Sequence, residues 1–251
     1  MSRDDPALEN DGYERAYLLL AAVFIAALVS CNLIFQKFFD VSVPLPGGGR
    51  YAFRQSVGLL AYPVTFVVTD VLSEVYGRRR TNSVVSVGFV ASVFTLVLVE
   101  VANAMPSADF GIGSETFVRV FGASKIAVLG SMTAYLLAQY LDVRLFHWWR
   151  RLTRGRHLWL RNNASTFGSQ VVDSLVILAL YAALGAAGIR WSQVPELLLN
   201  ALLFKWLFAL CDTPVVYLAV AMLRRRFPEQ VRRVERDELG LHPSRVDLQA
   251  G

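Results

Sequence analysis

Residues 62–80 read YPVTFVVTDVLSEVYGRRR. The run opens on Tyr62-Pro63, is largely apolar, carries Asp70 and Glu74 in its second half, and ends in the basic cluster Arg78-Arg79-Arg80. Asp70 and Glu74 stand four residues apart, so a helix puts them on one face; Thr69 and Ser73 repeat that spacing one position earlier. A carboxylate at the bilayer centre costs roughly 2.5–3.5 kcal/mol on insertion scales. A polar stripe here is therefore either helix-packing glue or a functional site, and intramembrane ionisable groups point to the second. Pro63 lacks a backbone donor and predicts a kink inside the segment.

The rest of the chain supports a membrane setting. Of its 251 residues 55% are hydrophobic, above the 45–50% usual for a soluble domain. They gather into runs long enough to cross a bilayer, at about 16–36, 56–76, 82–104, 122–141, 165–187 and 195–222. The expected architecture is all-α: a polytopic six-transmembrane-helix bundle in contact with membrane lipids. Residues 1–15 read as a flexible acidic tail, 16–225 as the membrane domain and 226–251 as a charged tail. The Pro/Gly-containing loop 38–55 has room for a short extended hairpin. Residues 142–164 mix six arginines with histidines and tryptophans. Beside a span, that composition reads as a basic loop with an interfacial aromatic anchor. The net charge of +5 then marks topology, and nucleic acid is not an expected partner.

Basic clusters follow the second, fourth and sixth spans, so the positive-inside rule puts both termini in the cytoplasm. Three spans per half is compatible with a 3+3 inverted repeat. Thr65-Phe66 before Asp70 and Thr166-Phe167 before Asp173 hint at one, with unequal spacing. In this orientation Asp70, Glu74, Asp173 and Asp212 lie in the inner half of the bilayer on three helices, with Lys205 near the midplane. Ser165, Ser169 and Asp173 share a face, as do Thr166, Gln170 and Ser174, and Lys205 and Asp212 lie on one side seven residues apart. Asn32 and Gln36 close the first span. The candidate substrate-binding set is Asn32, Asp70, Glu74, Gln170, Asp173, Lys205 and Asp212. Glu74, a turn closer to Arg78–Arg80, also suits a helix-end ion pair.

No metalloprotease, nucleophile-elbow or P-loop spacing occurs, no His pair suggests a metal, and no cofactor motif is present. Cys31 and Cys211 sit in apolar runs and form no disulfide framework. A binding pocket fits better than an enzyme. Buried carboxylates, amides and hydroxyls must be satisfied by one another, by water or by a ligand. A carboxylate accepts adjacent N–H donors in fork geometry, Gln170 or Asn32 can bond a carbonyl and a ring nitrogen, and Tyr62, Phe66 or Phe167 can stack on a ring. A planar heterocycle is one of several polar solutes that would suit.

The chain resembles the vitamin-uptake/queuosine-precursor transporter family of small six-helix inner-membrane proteins. The likeness is carried by Asn32 with Gln36-Lys37, by Tyr62 through Gly77, by Arg161 through Asp173-Ser174, and by Lys205 with Asp212-Thr213-Pro214. It spans roughly residues 16–225, and its most specific part is the family's aromatic-Pro-x-Thr, Asp-x-Leu-x-Glu-x-Tyr-Gly signature across 62–77. It implies uptake of 7-deazaguanine precursors of queuosine, namely the 7-cyano or 7-aminomethyl base, for tRNA modification. Two alternatives stay open. One is the substrate-binding component of an ATP-driven uptake system, for which Ala22/Ala26 and Ala183/Ala187 offer Ala-x-x-x-Ala docking faces. The other is a membrane-embedded enzyme. Homo-oligomerisation, an ATPase module and energy coupling are left undecided.

Overall fold

The fold is organised around α2 (Tyr62–Val75), whose residues from Val68 to Val75 are all buried. The computed structural model describes residues 6–34, 37–44, 50–121, 125–184 and 189–239. Around α2 stand α1 (Pro6–Ile34), α3 (Gly77–Ala104), α5 (Lys125–Leu152) and α7 (Val194–Arg226). The remaining long helix, α6 (Leu158–Leu184), pairs with α5 and α7. Two shorter α-helices among the described residues are α4 (Ser114–Phe121) and α8 (Pro228–Leu239). A hairpin of β1 (Phe38–Pro44) and β2 (Arg50–Ser56), antiparallel with Asp40 opposite Arg54, joins α1 to α2. The expected extended hairpin in 38–55 is thus present.

An apolar core that includes Phe24, Leu28, Phe66, Val71, Leu72 and Val75 is joined inside the bundle by many polar and charged side chains, while much of the outer surface is apolar. Val87, Val90, Phe94, Val97 and Val101 make an exposed apolar stripe on α3, and Leu199, Leu203, Leu207 and Leu210 make one on α7. Buried positions include Asp70, Glu74, Gln139, Asp142, Arg150, Arg161, Gln170 and Asp173. Apolar stripes of that length are a liability in water and the expected surface in lipid. Among the described residues four helical stretches are long and apolar enough to cross a membrane: Asn10–Ile34, Gly77–Ala104, Leu158–Leu184 and Trp191–Arg226. They correspond to the expected first, third, fifth and sixth spans. In place of the second stand a 3₁₀ turn, Val57–Leu60, and the 14-residue α2, about 21 Å long at 1.5 Å per residue. The fourth lies within α5, whose 28 residues reach about 42 Å.

Several expectations change. Pro63 does not kink a span. It occupies the first turn of α2, where its missing N–H costs nothing because no carbonyl precedes it in the helix. The break lies just before, where the 3₁₀ turn ends at Ala61. The supposed basic loop 142–164 is mostly helix. α5 continues to Leu152 and α6 begins at Leu158, leaving a turn with Arg154, Gly155 and His157 at positive φ. Trp148 and Trp159 are half-exposed, as an interfacial anchor requires, but His147, Arg150 and Arg161 are buried. Helix α1 already starts at Pro6, inside the supposed flexible tail, and α8 folds within the supposed charged tail. Gln36, residues 45–49, Ala187 and residues 240–251 lie outside the described residues.

Helix α8 closes the corner between α2 and α3. Gly77 turns that corner at φ +79°, and a Cβ there would lie 2.8 Å from Glu238 Oε1. The Arg78 N–H donates to Glu238 Oε1 at 2.9 Å, and Glu238 Oε2 lies 3.1 Å from His147 Nδ1. Val231 of α8 is buried. Burial pushes the Glu238 carboxyl up, but His147, the Arg78 N–H and the Arg150 charge outweigh it and pull it down to about 2.

Two outcomes follow from this corner. Gly77→Ala forces a left-handed backbone on a residue with a Cβ, at about 1–2 kcal/mol, and is expected to lower the melting temperature of the detergent-solubilised protein. Because Glu238 has a depressed folded-state pKa, its contribution to α8 docking is full above pH 4.5 and fades as pH falls toward 2. A nitroxide on α8 should stay immobile from neutral pH to about 4.5 and gain mobility below that in wild type, whereas Glu238→Gln should be mobile throughout.

Candidate functional site

One face of α2 presents Tyr62, Phe66, Asp70 and Glu74 at four-residue steps, about 6 Å apart along the helix. Each polar group on this face meets α5, α6 or α7, and the three levels differ in how well charge is balanced.

At the Tyr62 level, Asp173 of α6 is fully buried. Its Oδ2 accepts from Lys205 Nζ of α7 at 2.6 Å and from the Tyr62 hydroxyl. Lys205 also donates to Ser174 Oγ at 2.9 Å and lies 4.8 Å from the Tyr62 ring centroid. Tyr62 packs against Phe66 and Tyr135 at ring separations of 5.2 and 5.6 Å. A narrow cleft opens beside this group, lined by Tyr62, Phe66, Thr166, Gln170, Lys205 and Asp212 together with Phe204 and Phe208. Its volume is about 20 Å³, room for about one water molecule. Thr166 Oγ1 and Gln170 Oε1 in its wall are buried and accept no hydrogen bond among the described residues.

At the Asp70 level, the Asp142 carboxyl of α5 faces Asp70 within hydrogen-bonding reach. Ser169 Oγ of α6 donates to Asp142 Oδ1 at 3.1 Å. Asp70 Oδ1 and Asp142 Oδ2 are buried with no partner among the described residues.

At the Glu74 level the carboxylate is met by cations. Glu74 is 0% exposed. Its Oε1 accepts from Arg161 Nη2 of α6 at 2.5 Å and from Arg224 of α7. Arg161 Nη1 also donates to the carbonyls of Gly155 and Arg156, at 2.8 and 3.2 Å, fastening the α5–α6 turn. Arg150 Nη1 donates to the Ser73 carbonyl at 3.2 Å.

The structure therefore gathers Gln170, Lys205 and Asp212 around one cleft, sets Asp173 directly behind Lys205, and puts Asp70 one level on. Asn32 does not line the cleft. Its Nδ2 donates to Ser92 Oγ of α3 at 3.2 Å. Glu74 lies at the far level inside its arginine pair. Sequence reasoning missed Asp142, because the arginines and tryptophans after it suggest a loop. A helical reading of 125–152 would have put Tyr135, Gln139 and Asp142 on one face at spacings of four and three.

The apolar outer stripes and the narrow cleft lined by aromatic and polar side chains define a multi-helix membrane protein. Residues 56–219 match the family described as "Putative vitamin uptake transporter", and the chain belongs to that family. Over 175 residues it is 28% identical to the "Probable queuosine precursor transporter" of Bacillus subtilis (strain 168), covering 69% of this chain and 75% of the relative. The Haemophilus influenzae protein of the same name is 25% identical over 184 residues, 72% of this chain and 75% of that protein. The "Queuosine precursor transporter" of Escherichia coli (strain K12) is 27% identical over 154 residues, 61% of this chain and 66% of its own length. No solved structure matches the chain. The family expected from the 62–77 signature is the family found.

Removing one partner from a buried ion pair leaves an uncompensated charge, at about 3–5 kcal/mol. Arg161→Met leaves Glu74 with the half-exposed Arg224 alone, so part of that penalty is expected: a smaller monodisperse peak in size-exclusion chromatography of the fluorescently tagged protein. Glu74→Leu combined with Arg161→Leu should recover part of that peak, since it removes both buried charges.

Proposed function

We propose that this protein imports a queuosine precursor, the 7-cyano- or 7-aminomethyl-7-deazaguanine base, across the inner membrane. Six spans with both termini in the cytoplasm give the arrangement, α2 and α5 being its two polar members. The observation that carries the reading is the chemistry of the cleft: rings of Tyr62, Phe66, Phe204 and Phe208 beside the polar ends of Gln170, Lys205 and Asp212. Flat aromatic walls suit a planar base, and a small number of fixed polar groups suits recognition of its edge. The three relatives named for queuosine precursor transport support the same solute.

In this reading Gln170, Asp212 and Lys205 bond the base, Asp173 orients Lys205, and Asp70 stands behind the contact layer. Asn32 and Glu74 hold the helices that frame it. A bicyclic base does not fit a 20 Å³ cleft, so α7 parts from α2 and α6 to admit it. Pro214, inside α7, removes one helical hydrogen bond and makes bending there cheap.

A queuosine-deficient strain that cannot make its own precursor tests the reading. Expression of the wild type at low external precursor should restore queuosine in tRNA. Asp173→Asn and Asp70→Asn should each reduce restoration at least ~10-fold, the scale of one lost charge-assisted contact of ~1.4 kcal/mol, at unchanged membrane abundance. Loss of abundance instead would reassign these residues to packing, and failure of the wild type would reject the solute.

A further inference from the structure

Asp70 and Asp142 are 2% and 0% exposed and face each other within hydrogen-bonding reach. Among the described residues no Lys, Arg or His lies within ion-pair distance of either, or of Asp212. The nearby cations are engaged elsewhere: Lys205 on Asp173, Arg161 and Arg224 on Glu74, and Arg150 on the Ser73 carbonyl. The groups that face the pair are Asp212 from α7, Glu74 a turn further along α2, and the hydroxyls of Ser165, Thr166 and Ser169 from α6. Thr166 and Asp212 also line the cleft, so pair and cleft share a wall. In that wall the buried Thr166 Oγ1 and Gln170 Oε1 carry unused acceptor capacity. No three His, Cys, Asp or Glu side chains among the described residues converge as a metal site would.

Two carboxylates about 4 Å apart repel by about 4 kcal/mol at an effective dielectric of 20. A single proton between them replaces that repulsion with a charge-assisted O–H···O⁻ bond, and the pair then titrates as a unit. With no cation to compensate it, this pair has the composition of a proton site. We propose that Asp70 and Asp142 form the proton-carrying site of the transporter, coupling one proton to each solute molecule moved. This rests on the reading that the neighbouring cleft carries the solute. The proton enters through Asp212 at the cleft wall, is shared between Asp142 and Asp70, and leaves on the opposite side of the membrane with the solute. Loaded, the pair bonds α2 to α5; unloaded, it pushes them apart. Proton occupancy and helix position are therefore linked.

The test uses the purified full-length protein in sealed proteoliposomes, with the membrane potential clamped at zero. Entry of radiolabelled 7-cyano- and 7-aminomethyl-7-deazaguanine is followed to its plateau, with trapped pyranine reporting internal pH. With an inward proton gradient of one pH unit, wild type is expected to plateau about tenfold above the external concentration, the ratio that one-to-one coupling allows, and to acidify the lumen as solute enters. Asp142→Asn should plateau at a ratio near one at whatever rate it retains, and Asp142→Glu, which keeps a titratable carboxyl, should stay above one. A wild-type plateau of one regardless of the proton gradient overturns the coupling and leaves solute transport standing. So does a plateau that follows a sodium gradient. An Asp142→Asn plateau that still follows pH overturns the assignment of the site. If wild type moves neither compound, the solute reading itself falls, and the coupling with it.

Discussion

Glu74 fixes the structure. A carboxylate with no exposure is stable in a protein only if its charge is met by well-placed cations. Here those cations come from two other helices, Arg161 on α6 and Arg224 on α7. The tie leaves little freedom in how α2, α6 and α7 align, because sliding any one by a turn would strand a buried charge. Arg161 extends the tie to the α5–α6 turn through the carbonyls of Gly155 and Arg156. Arg224 extends it to α8 through Glu235 at 2.5 Å. Apolar packing alone would not do this in lipid, since the surrounding chains are as apolar as the helix faces.

With that end fixed, the rest of the α2 face can be read by its charge balance. Glu74 is compensated by two guanidinium groups. Asp173 is compensated by one ammonium and one hydroxyl, and Lys205 also lies over the Tyr62 ring. Among the described residues Asp70 and Asp142 face each other and the hydroxyls of Ser165, Thr166 and Ser169, and have no cation. A polar group kept purely as glue is expected to find its partners within the protein. Asp70 Oδ1, Asp142 Oδ2, Thr166 Oγ1 and Gln170 Oε1 are among the buried polar atoms without a partner in the described residues, as are Glu74 Oε2 and Asp173 Oδ1, so what sets the Asp70 level apart is its lack of a cation.

The α2 stripe was legible in sequence because the partners on one helix follow its period. The same holds for the polar face of α6, which runs through Ser165, Ser169 and Asp173. What sequence could not supply was pairing between helices. Arg161 looks like one more residue of a basic loop until Glu74 is seen beside it. Asp142 looks like the end of a span until α5 is seen to continue for another ten residues. Asn32 bonds Ser92, and nothing in the pattern of α1 distinguishes a residue facing α3 from one facing the cleft. The acidic and basic residues of α8 resemble a solvated tail, and only contact with Arg78, His147 and Arg224 makes it a docked helix.

The same balance constrains how the cleft can open. α7 is tied to α2 through Arg224 and to α6 through Lys205 and through Thr213, whose hydroxyl accepts from Asn163 Nδ2 at 2.9 Å. Separating α7 at Arg224 would leave Glu74 with a single partner, whereas separating it at Lys205 leaves Asp173 with the Tyr62 hydroxyl and brings Lys205 toward the cleft. On the function proposed above, a base with a carbonyl or ring nitrogen would then accept from that ammonium. The less costly motion is one that pivots near the Glu74 end and parts the helices at Lys205, and Pro214 lies between the two points. The element that makes the bundle rigid at one end thus directs its flexibility to the end where the aromatic cleft lies.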